Sequence, residues 1–221
     1  MSKIIALMPL KANSSRVPGK NFKPLAGKPL FRWMLDKLLA SENIDQVVIN
    51  TDAQLELERA GLPESNKLLI RTRKEELCGD EVSMNLVLQD DIDNTDADIY
   101  LMTHTTNPFI SLSTINSAIG AFNTAEDKDS LFTVNRIQTR FYDERCKAIN
   151  HDPDNLIPTQ DLEPWFEENS CMYLFTKKSF CKTAARIGES PMMFETSKLE
   201  SVDIDEPQDW QLAAALAPNF I

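Results

Sequence analysis

The chain has 221 residues, which is enough for one α/β domain with a buried core and too few for two full domains. Acidic residues outnumber basic ones by 34 to 23, and the resulting net charge of -11 makes the average surface repel nucleic acids and anionic membranes. Four scattered cysteines without a CxxC pair, together with only two histidines, exclude a plausible zinc ligand set and favour reduced thiols.

Apolar runs and turn residues predict alternating strands and helices along the chain. The run at 3–10 is continuously apolar over the length of a strand, which is typical of a strand buried on both faces of a parallel sheet. Pro29 can stand in the first turn of a helix, Gly61 is a natural helix end, and Ser111 or Ser113 can cap a later helix. Strands are predicted at 3–10, 46–51, 67–71, 98–103, 130–135, 171–176 and 199–204. Helices are predicted at 29–39, 55–61, 82–88, 111–122, 178–187 (closed by Gly188) and 207–216.

This alternation predicts a three-layer α/β/α fold around a mostly parallel sheet, in one domain spanning 1–221. In such sheets, ligands bind at the carboxyl ends of the strands. Between 136 and 169 the periodicity fails, and the stretch contains prolines and aromatic side chains that we expect to be exposed. So long an irregular segment is typically functional, disordered or committed to a partner. We interpret it as an excursion from the domain.

The loop that follows the first strand, at 8–21, is a candidate anion site. It has neither the GxxxxGK[ST] nor the GxGxxG pattern. Five basic residues nevertheless occur between 11 and 28 without an acid, in an acidic chain. The loop's hydroxyls and amides can reach phosphate oxygens while Lys11, Arg16 and Lys20 supply charge. The alternative is an ordinary solvated basic loop.

Asp203 and Asp205 are a candidate metal pair. They stand two residues apart on a predicted strand, so both side chains would leave the same face. Two carboxylates suit Mg²⁺, which takes few protein oxygens and completes its shell with phosphate and water. Asp205 also begins the sequence DEPQ, so its role could instead be to cap the last helix.

Several segments together resemble the sugar-acid cytidylyltransferases, the family of acylneuraminate (CMP-sialic acid) synthetases and Kdo cytidylyltransferases. The resemblance begins with MPLKANSSRVPGKNFKPLAGKPL at 8–30, in which Lys11 stands where the family has arginine. It continues with RKEELCGDEVS at 73–83, whose Asp-x-x-Ser spacing favours the sialate type. Further similar segments are 47–52, 100–111, 168–175 and 200–210. The resemblance implies a Rossmann-like nucleotidyltransferase fold.

The resemblance also implies a reaction, in which CMP passes from CTP to the anomeric hydroxyl of a sialic-acid-like α-keto sugar acid and pyrophosphate is released. The implied cofactor is Mg²⁺, held by Asp203 and Asp205. The catalytic set is then Lys11, Arg16, Lys20, Asp203 and Asp205. The implied CTP contacts are Ser14, Ser15, Asn21, Arg73 and Ser83. The implied acceptor contacts are His104, Thr106, Asn107 and Asn169, and a general base would be His104 or one of the two aspartates.

In the family, the segment matching 136–169 reaches a second subunit, so the resemblance implies a homodimer; a mobile surface segment is the alternative. Two other functions stay open. One is nucleotidylyl transfer to a sugar phosphate or phosphonate, which would need basic residues such as Arg136 and Arg140 near the acceptor. The other is a non-catalytic nucleotide-binding homologue. No basic, apolar leader opens the sequence and no apolar run approaches the about 20 residues that span a bilayer, so we expect a soluble cytoplasmic protein.

Overall fold

The structure, a computed structural model, describes residues 2–220, and its elements alternate between strands and helices. Its strands are β1 (Ile4–Leu7), β2 (Pro24–Leu25), β3 (Lys28–Pro29), β4 (Gln46–Thr51), β5 (Leu68–Thr72), β6 (Ile99–Thr103), β7 (Ser130–Ile137), β8 (Trp165–Thr176) and β9 (Pro191–Glu195). Its α-helices are α1 (Leu30–Ala40), α2 (Gln54–Ala60), α3 (Met84–Asp93), α4 (Leu112–Thr124), α5 (Lys177–Thr183) and α6 (Pro207–Leu216). None of these helices has the length and apolar character needed to cross a membrane.

The central sheet has seven strands in the order β5-β4-β1-β6-β8-β7-β9. Strand β8 is antiparallel to both of its neighbours, while the other neighbouring pairs are parallel. The predicted three-layer α/β/α fold with a mostly parallel sheet is therefore confirmed. The remaining strands, β2 and β3, form a small antiparallel hairpin that the sequence did not indicate.

Both faces of the sheet are covered by apolar packing, as the continuous apolar run of β1 predicts. Ile4 and Ala6 belong to a cluster that includes residues of α1 and α4. Ile5 and Leu7 belong to a second cluster that includes residues of α3 and α5. Because successive side chains of a strand point to opposite faces, β1 anchors both layers at once. This packing on both faces fixes the carboxyl end of β1, where the loop at 8–21 begins.

The C-terminal part of the sheet departs from the predicted pattern. Strand β7 continues through Ile137 and pairs with Trp165 at the start of β8, so the irregular stretch is 138–164 rather than 136–169. The segment 199–204 is not a strand; β9 is the strand that pairs with β7 instead. Strand β9 alternates exposed and half-buried residues at the sheet edge, and this weak pattern gave no strand signal.

Helix ends follow the predicted signals in two places and not in a third. Gly61 ends α2 in the left-handed conformation, and the Ser111 hydroxyl caps α4 by accepting from the Thr114 amide. Helix α5, however, ends at Thr183 with Ala184 in the left-handed conformation, before Gly188. Gly188 is needed for close packing, because a Cβ there would lie 2.2 Å from the Ser179 hydroxyl.

Candidate active site

An open cleft of about 340 Å³ lies at the carboxyl ends of β1 and β6. The loop at 8–21 forms one wall, and the segment around Asp203 and Asp205 forms part of another. The cleft brings together most of the residues that the sequence singled out. Of the predicted site residues, those lining it are Lys11, Ser14, Ser15, Arg16, Lys20, Asn21, Arg73, His104, Thr106, Asp203 and Asp205. The cleft is also lined by Pro9, Met84, Thr105 and Ser170, which sequence reasoning missed.

The basic loop is folded back on itself by Gly19 and Asn21. Gly19 has a φ of 63°, a conformation that favours glycine, and its carbonyl accepts from the amides of Phe22 and Lys23. The Asn21 side-chain nitrogen donates to the Lys11 carbonyl at 2.8 Å, and its oxygen accepts from the Thr105 hydroxyl at 2.6 Å. The Asn21 amide is therefore occupied in joining the loop to the end of β6.

Two exposed cations of the loop are paired with carboxylates from distant parts of the chain. Lys11 forms an ion pair with Asp80. The Arg16 guanidinium lies 3.2 Å from Asp205 and 3.2 Å from Glu206, which raises the pKa of Arg16 through the Glu206 hydrogen bond and the Asp205 charge. These pairs hold the loop over the cleft with its positive charges facing inward.

Lys20 is the third loop cation and is almost entirely buried. Its Nζ donates to the Ile204 carbonyl at 2.6 Å and to Asp205 Oδ1 at 3.1 Å. A buried ammonium needs such acceptors, because desolvation without them is costly. Lys20 therefore fixes the loop against the Asp203–Asp205 segment.

The two aspartates lie on an irregular segment between β9 and α6, not on the predicted strand. Asp203 is accessible from the cleft, yet the surrounding protein desolvates it enough to raise its pKa, and the nearby Asp205 charge raises it further. Asp205 does not cap α6: Glu206 is the N-cap residue and exchanges capping hydrogen bonds with Asp209. The alternative in which Asp205 caps the last helix is therefore wrong, because the cap is the next residue. The Asp205 carboxylate instead forms ion pairs with Arg16 and Lys20.

The donor set of this pair fits a hard cation such as Mg²⁺. Asp203 offers a carboxylate that has no ion-pair partner among residues 2–220, with a second carboxylate close by. Within the same part of the chain, no group of three or more His, Cys, Asp or Glu side chains could hold a metal by itself. A cation here would need phosphate oxygens and water as well, which is how Mg²⁺ usually binds at nucleotide sites.

Arg73 lines the cleft, but several of its guanidinium N–H groups already donate hydrogen bonds within the protein. Its Nε donates to the Asn50 side chain, and its Nη2 donates to the carbonyls of Asn50 and Leu10. Burial lowers the pKa of Arg73, although nearby acids oppose this effect. The guanidinium therefore ties the end of β1 to β4, and only the remaining N–H groups can meet a ligand.

His104 follows β6 directly and lines the cleft. Burial lowers the pKa of His104 to about 4, and the positive charge of Arg186 adds to this effect. The imidazole is therefore neutral at pH 7. A neutral ring offers a hydrogen-bond acceptor without adding positive charge.

Three predicted site residues do not line the cleft. Asn107 is fully buried, and neither atom of its side-chain amide has a partner among the described residues. Asn169 donates to Asn135 and Thr196, so it joins β8 to its surroundings. Ser83 precedes α3 and lines a neighbouring hollow that shares Met84 with the cleft. A loop motif alone does not tell which of its side chains turn inward.

A mostly parallel α/β sheet whose carboxyl edge carries a basic loop beside two carboxylates has the features expected of a nucleotide-binding site. The cytidylyltransferase family model matches residues 5–218. The chain therefore belongs to the cytidylyltransferase family. The prediction of a CTP-dependent nucleotidyltransferase is confirmed at this level.

The similarity to individual proteins agrees with that assignment. CMP-N,N'-diacetyllegionaminic acid synthase of Legionella pneumophila is 27% identical, over 97% of this chain and 96% of that protein. N-acylneuraminate cytidylyltransferase of Escherichia coli is 24% identical over 97% of this chain. The chain spans only 52% of that second protein, about half its length. The predicted resemblance to the acylneuraminate group is confirmed.

A solved structure of CMP:2-keto-3-deoxy-manno-octonic acid synthetase complexed with CTP has a TM-score of 0.71 at 16% identity, covering 100% of both chains. A 4-diphosphocytidyl-2C-methyl-D-erythritol synthase from Anaerococcus prevotii has a TM-score of 0.69 at 13% identity and covers 98% of this chain and 96% of that one. At these identities the likeness shows a shared fold.

Proposed function

We propose that this cytidylyltransferase transfers CMP from CTP to the anomeric hydroxyl of a sialic-acid-like α-keto sugar acid and releases pyrophosphate. The carrying observation is the cleft that is lined both by the cations Lys11, Arg16 and Lys20 and by the carboxylates of Asp203 and Asp205. The acceptor class is supported by the nearly full-length match to a CMP-diacetyllegionaminic acid synthase.

The basic loop would bind the triphosphate. Lys11 and Arg16 are exposed and their carboxylate partners are exposed too, so phosphate oxygens can replace those partners at little cost. The hydroxyls of Ser14 and Ser15, which also line the cleft, can donate to phosphate oxygens. Lys20 keeps its acceptors and acts mainly by holding the loop in place.

Asp203 and Asp205 would hold Mg²⁺. When bound, the ion would offset phosphate charge and polarise the reacting phosphate. Occupancy by the cation would compensate the carboxylate charge that Arg16 and Lys20 now face, and so release Arg16 toward the nucleotide. The protein contributes positioning and charge, which are the main needs of nucleotidyl transfer.

The reaction forms a bond between the anomeric oxygen and the α-phosphorus and breaks the bond between that phosphorus and the bridging oxygen of pyrophosphate. The hydroxyl proton must pass to a base. His104 has a pKa of about 4, so it would hold an abstracted proton weakly at pH 7. Asp203, whose pKa is raised by desolvation, also lines the cleft and is the other candidate acceptor.

We also propose a cytoplasmic homodimer in which 138–164 contacts the second subunit. Phe141 stacks on Trp165 at 5.0 Å, and several large apolar side chains around them are exposed. These exposed residues are Tyr142, Ile149, Leu156, Ile157, Trp165 and Phe166. Apolar surface of this kind is typical of a protein interface. Light scattering would test it: a monomer at micromolar concentration contradicts the dimer.

Pyrophosphate release with each nucleoside triphosphate and a panel of acceptors tests the reaction. We expect release with CTP and a nine-carbon α-keto acid such as N-acetylneuraminate, and none with the acceptor omitted. Release only with a phosphorylated acceptor would overturn the proposal. Such a dianion would need extra cations, and neither Arg136 nor Arg140 lines the cleft. No release with any pair would favour a non-catalytic homologue.

A further inference from the structure

A second group of polar side chains, which the sequence did not single out, lies beside the cleft. The Arg186 guanidinium stacks over the Tyr173 ring, with its central carbon 4.0 Å from the ring centroid. The Tyr173 hydroxyl donates to Glu168 and also lies 3.1 Å from the Ser170 hydroxyl. Cation–π contact and these hydrogen bonds fix the tyrosine and place the guanidinium above it.

The local chain path explains this placement. The pairing of β7 with β8 shifts register between Phe132 and Val134, and Ser170 within the shift has a φ of 57°. Bulges of this kind redirect side chains and are frequent beside active sites. Helix α5 then ends at Thr183, and the next residue, Ala184, also has a positive φ, so the chain turns back and brings Arg186 over β8.

This group adjoins the proposed CTP cleft. Ser170 lines the cleft itself, and Met84 lines both the cleft and the hollow that contains Arg186 and Glu168. The charge of Arg186 is also close enough to His104 to contribute, after burial, to lowering the pKa of that histidine. The guanidinium is thus near His104, in a hollow whose lining does not include Lys11, Arg16 or Lys20.

Arg186 differs from the loop cations in its charge partners. Lys11, Arg16 and Lys20 each lie within hydrogen-bonding distance of a carboxylate. The only acid near Arg186 within residues 2–220 is Glu168, at 3.8 Å, which is too long for a hydrogen bond. Stacking occupies the face of the guanidinium and leaves its edge N–H groups available. That edge matches a carboxylate in shape and charge.

We infer that Arg186 binds the carboxylate of the acceptor acid, with Tyr173 and Glu168 holding its guanidinium in position. The inference rests on the proposed function. It assumes that the CTP phosphates bind beside the basic loop at 8–21 and that the acceptor binds beside His104. A sugar acid carries one carboxylate, and one arginine fork satisfies it.

Steady-state kinetics of Arg186→Ala and Arg186→Lys test this assignment, with N-acetylneuraminate and its carboxamide as acceptors. We expect Arg186→Ala to raise the acceptor KM about 10- to 100-fold, the loss of one charge-assisted pair, and to leave the CTP KM unchanged. Arg186→Lys should recover part of the loss. The preference of the wild-type protein for acid over carboxamide should disappear in Arg186→Ala. Arg59→Ala, an exposed arginine of α2, is the matched control and should leave both KM values unchanged.

Two results would overturn the assignment: an acid preference retained in Arg186→Ala, or equal rises in the KM values of acceptor and CTP. Calorimetric titration of N-acetylneuraminate into the protein with CTP, in a buffer without divalent cations, separates this from failure of the proposed function. Binding that weakens in Arg186→Ala supports the assignment even where no turnover occurs. Binding equal in the two proteins, or none to the wild type, refutes it.

Discussion

The molecule has two groups of oppositely charged side chains that share residue types and differ in burial. The cleft group consists of Lys11, Arg16, Lys20, Asp80, Asp205 and Glu206. The buried group consists of Asn50, Arg71, Asp90 and Asp91, behind the cleft between β4, β5 and α3. In the cleft group, the side chains of Arg16 and Asp205 are 54% and 42% exposed. In the buried group, those of Arg71 and Asp91 are 15% and 0% exposed.

This difference in burial separates the exposed pairs of the cleft group, formed by Lys11 and Arg16, which can exchange partners, from the buried group, which cannot; the buried Lys20 keeps its acceptors. Exposed ion pairs contribute about 0 to 1 kcal/mol, so a triphosphate or cation can replace either member. Removing one member of a buried pair leaves an uncompensated charge inside the protein, which costs about 3 to 5 kcal/mol. The cleft group should therefore govern activity, and the buried group should govern stability.

The largest effect should follow Asp203→Asn, beside the cleft group. We expect kcat to fall about 1,000-fold or more, since several kcal/mol of charge stabilisation would depend on the Mg²⁺ that we propose this residue holds. The unfolding free energy should stay the same or rise, because the raised pKa of Asp203 shows that its charge is disfavoured in the fold. Kinetics with Mg²⁺ and chemical denaturation measure the two effects.

The metal assignment has its own readout in Mn²⁺ binding followed by electron paramagnetic resonance, with CTP present. Asp203→Asn should weaken Mn²⁺ binding, and Asp127→Asn, a change of the same type at an exposed surface site, should not. Unchanged Mn²⁺ binding together with unchanged activity would show that Asp203 is not a ligand.

The next largest effect should come from Arg71→Ala in the buried group. The change leaves the buried Asp91 without a cation, while Asp90 keeps its ion pair with Lys74, and we expect a loss of about 3 to 5 kcal/mol in unfolding free energy. The CTP KM of the folded protein should change little. Urea unfolding and kinetics below the transition measure both, with Arg59→Ala as the control. A large rise in CTP KM without a loss of stability would show that the buried group governs activity rather than stability.

The sequence predicted the residues of the cleft group better than those of the buried group. Local sequence patterns place the cleft loop, whereas contacts between distant residues leave no local pattern. Strands β1, β4 and β6 are short segments rich in apolar residues, so their positions, and with them the loop at 8–21, follow from local pattern. The partners of the loop cations come from residues about 70 and 190 positions away, and no local pattern encodes such contacts.

Asp205 illustrates where local reasoning fails. Both Asp205 with Gln208 and Glu206 with Asp209 have capping-box spacing, so the sequence permits either cap. Tertiary contact with Arg16 and Lys20 holds Asp205 in the cleft, and Glu206 becomes the cap. Arg186 escaped prediction for a similar reason, since its position depends on a register shift between β7 and β8.

The buried group should also make stability depend on pH. Burial raises the pKa of Asp91 to about 6, although Asn50 and Arg71 oppose this and Asp90 adds to it. Because the folded pKa lies above the unfolded value of about 3.9, the stabilisation is complete below pH about 4 and is lost as pH rises through about 6. The stability of Asp91→Asn relative to that of the wild type should therefore rise as the pH is raised from about 4 to 7, by at most about 3 kcal/mol, whatever the difference is at pH 4. Asp93→Asn, exposed on the same helix, should show no such trend.

The smallest effect should be that of Lys11→Ala. This variant tests whether a cation of the cleft group can exchange its carboxylate partner for a phosphate. Lys11 and Asp80 are both exposed, so the unfolding free energy should change by less than about 1 kcal/mol. The CTP KM should rise about tenfold, equivalent to about 1.4 kcal/mol, and the rise should shrink at high salt because the contact is screened. Lys11→Arg should keep the wild-type KM or lower it, since a guanidinium can bind phosphate through two hydrogen bonds. Lys3→Ala, before the amino end of β1 on the opposite edge of the sheet, is the control. A loss of stability in Lys11→Ala with an unchanged CTP KM would show that Lys11 contributes to stability rather than to CTP binding.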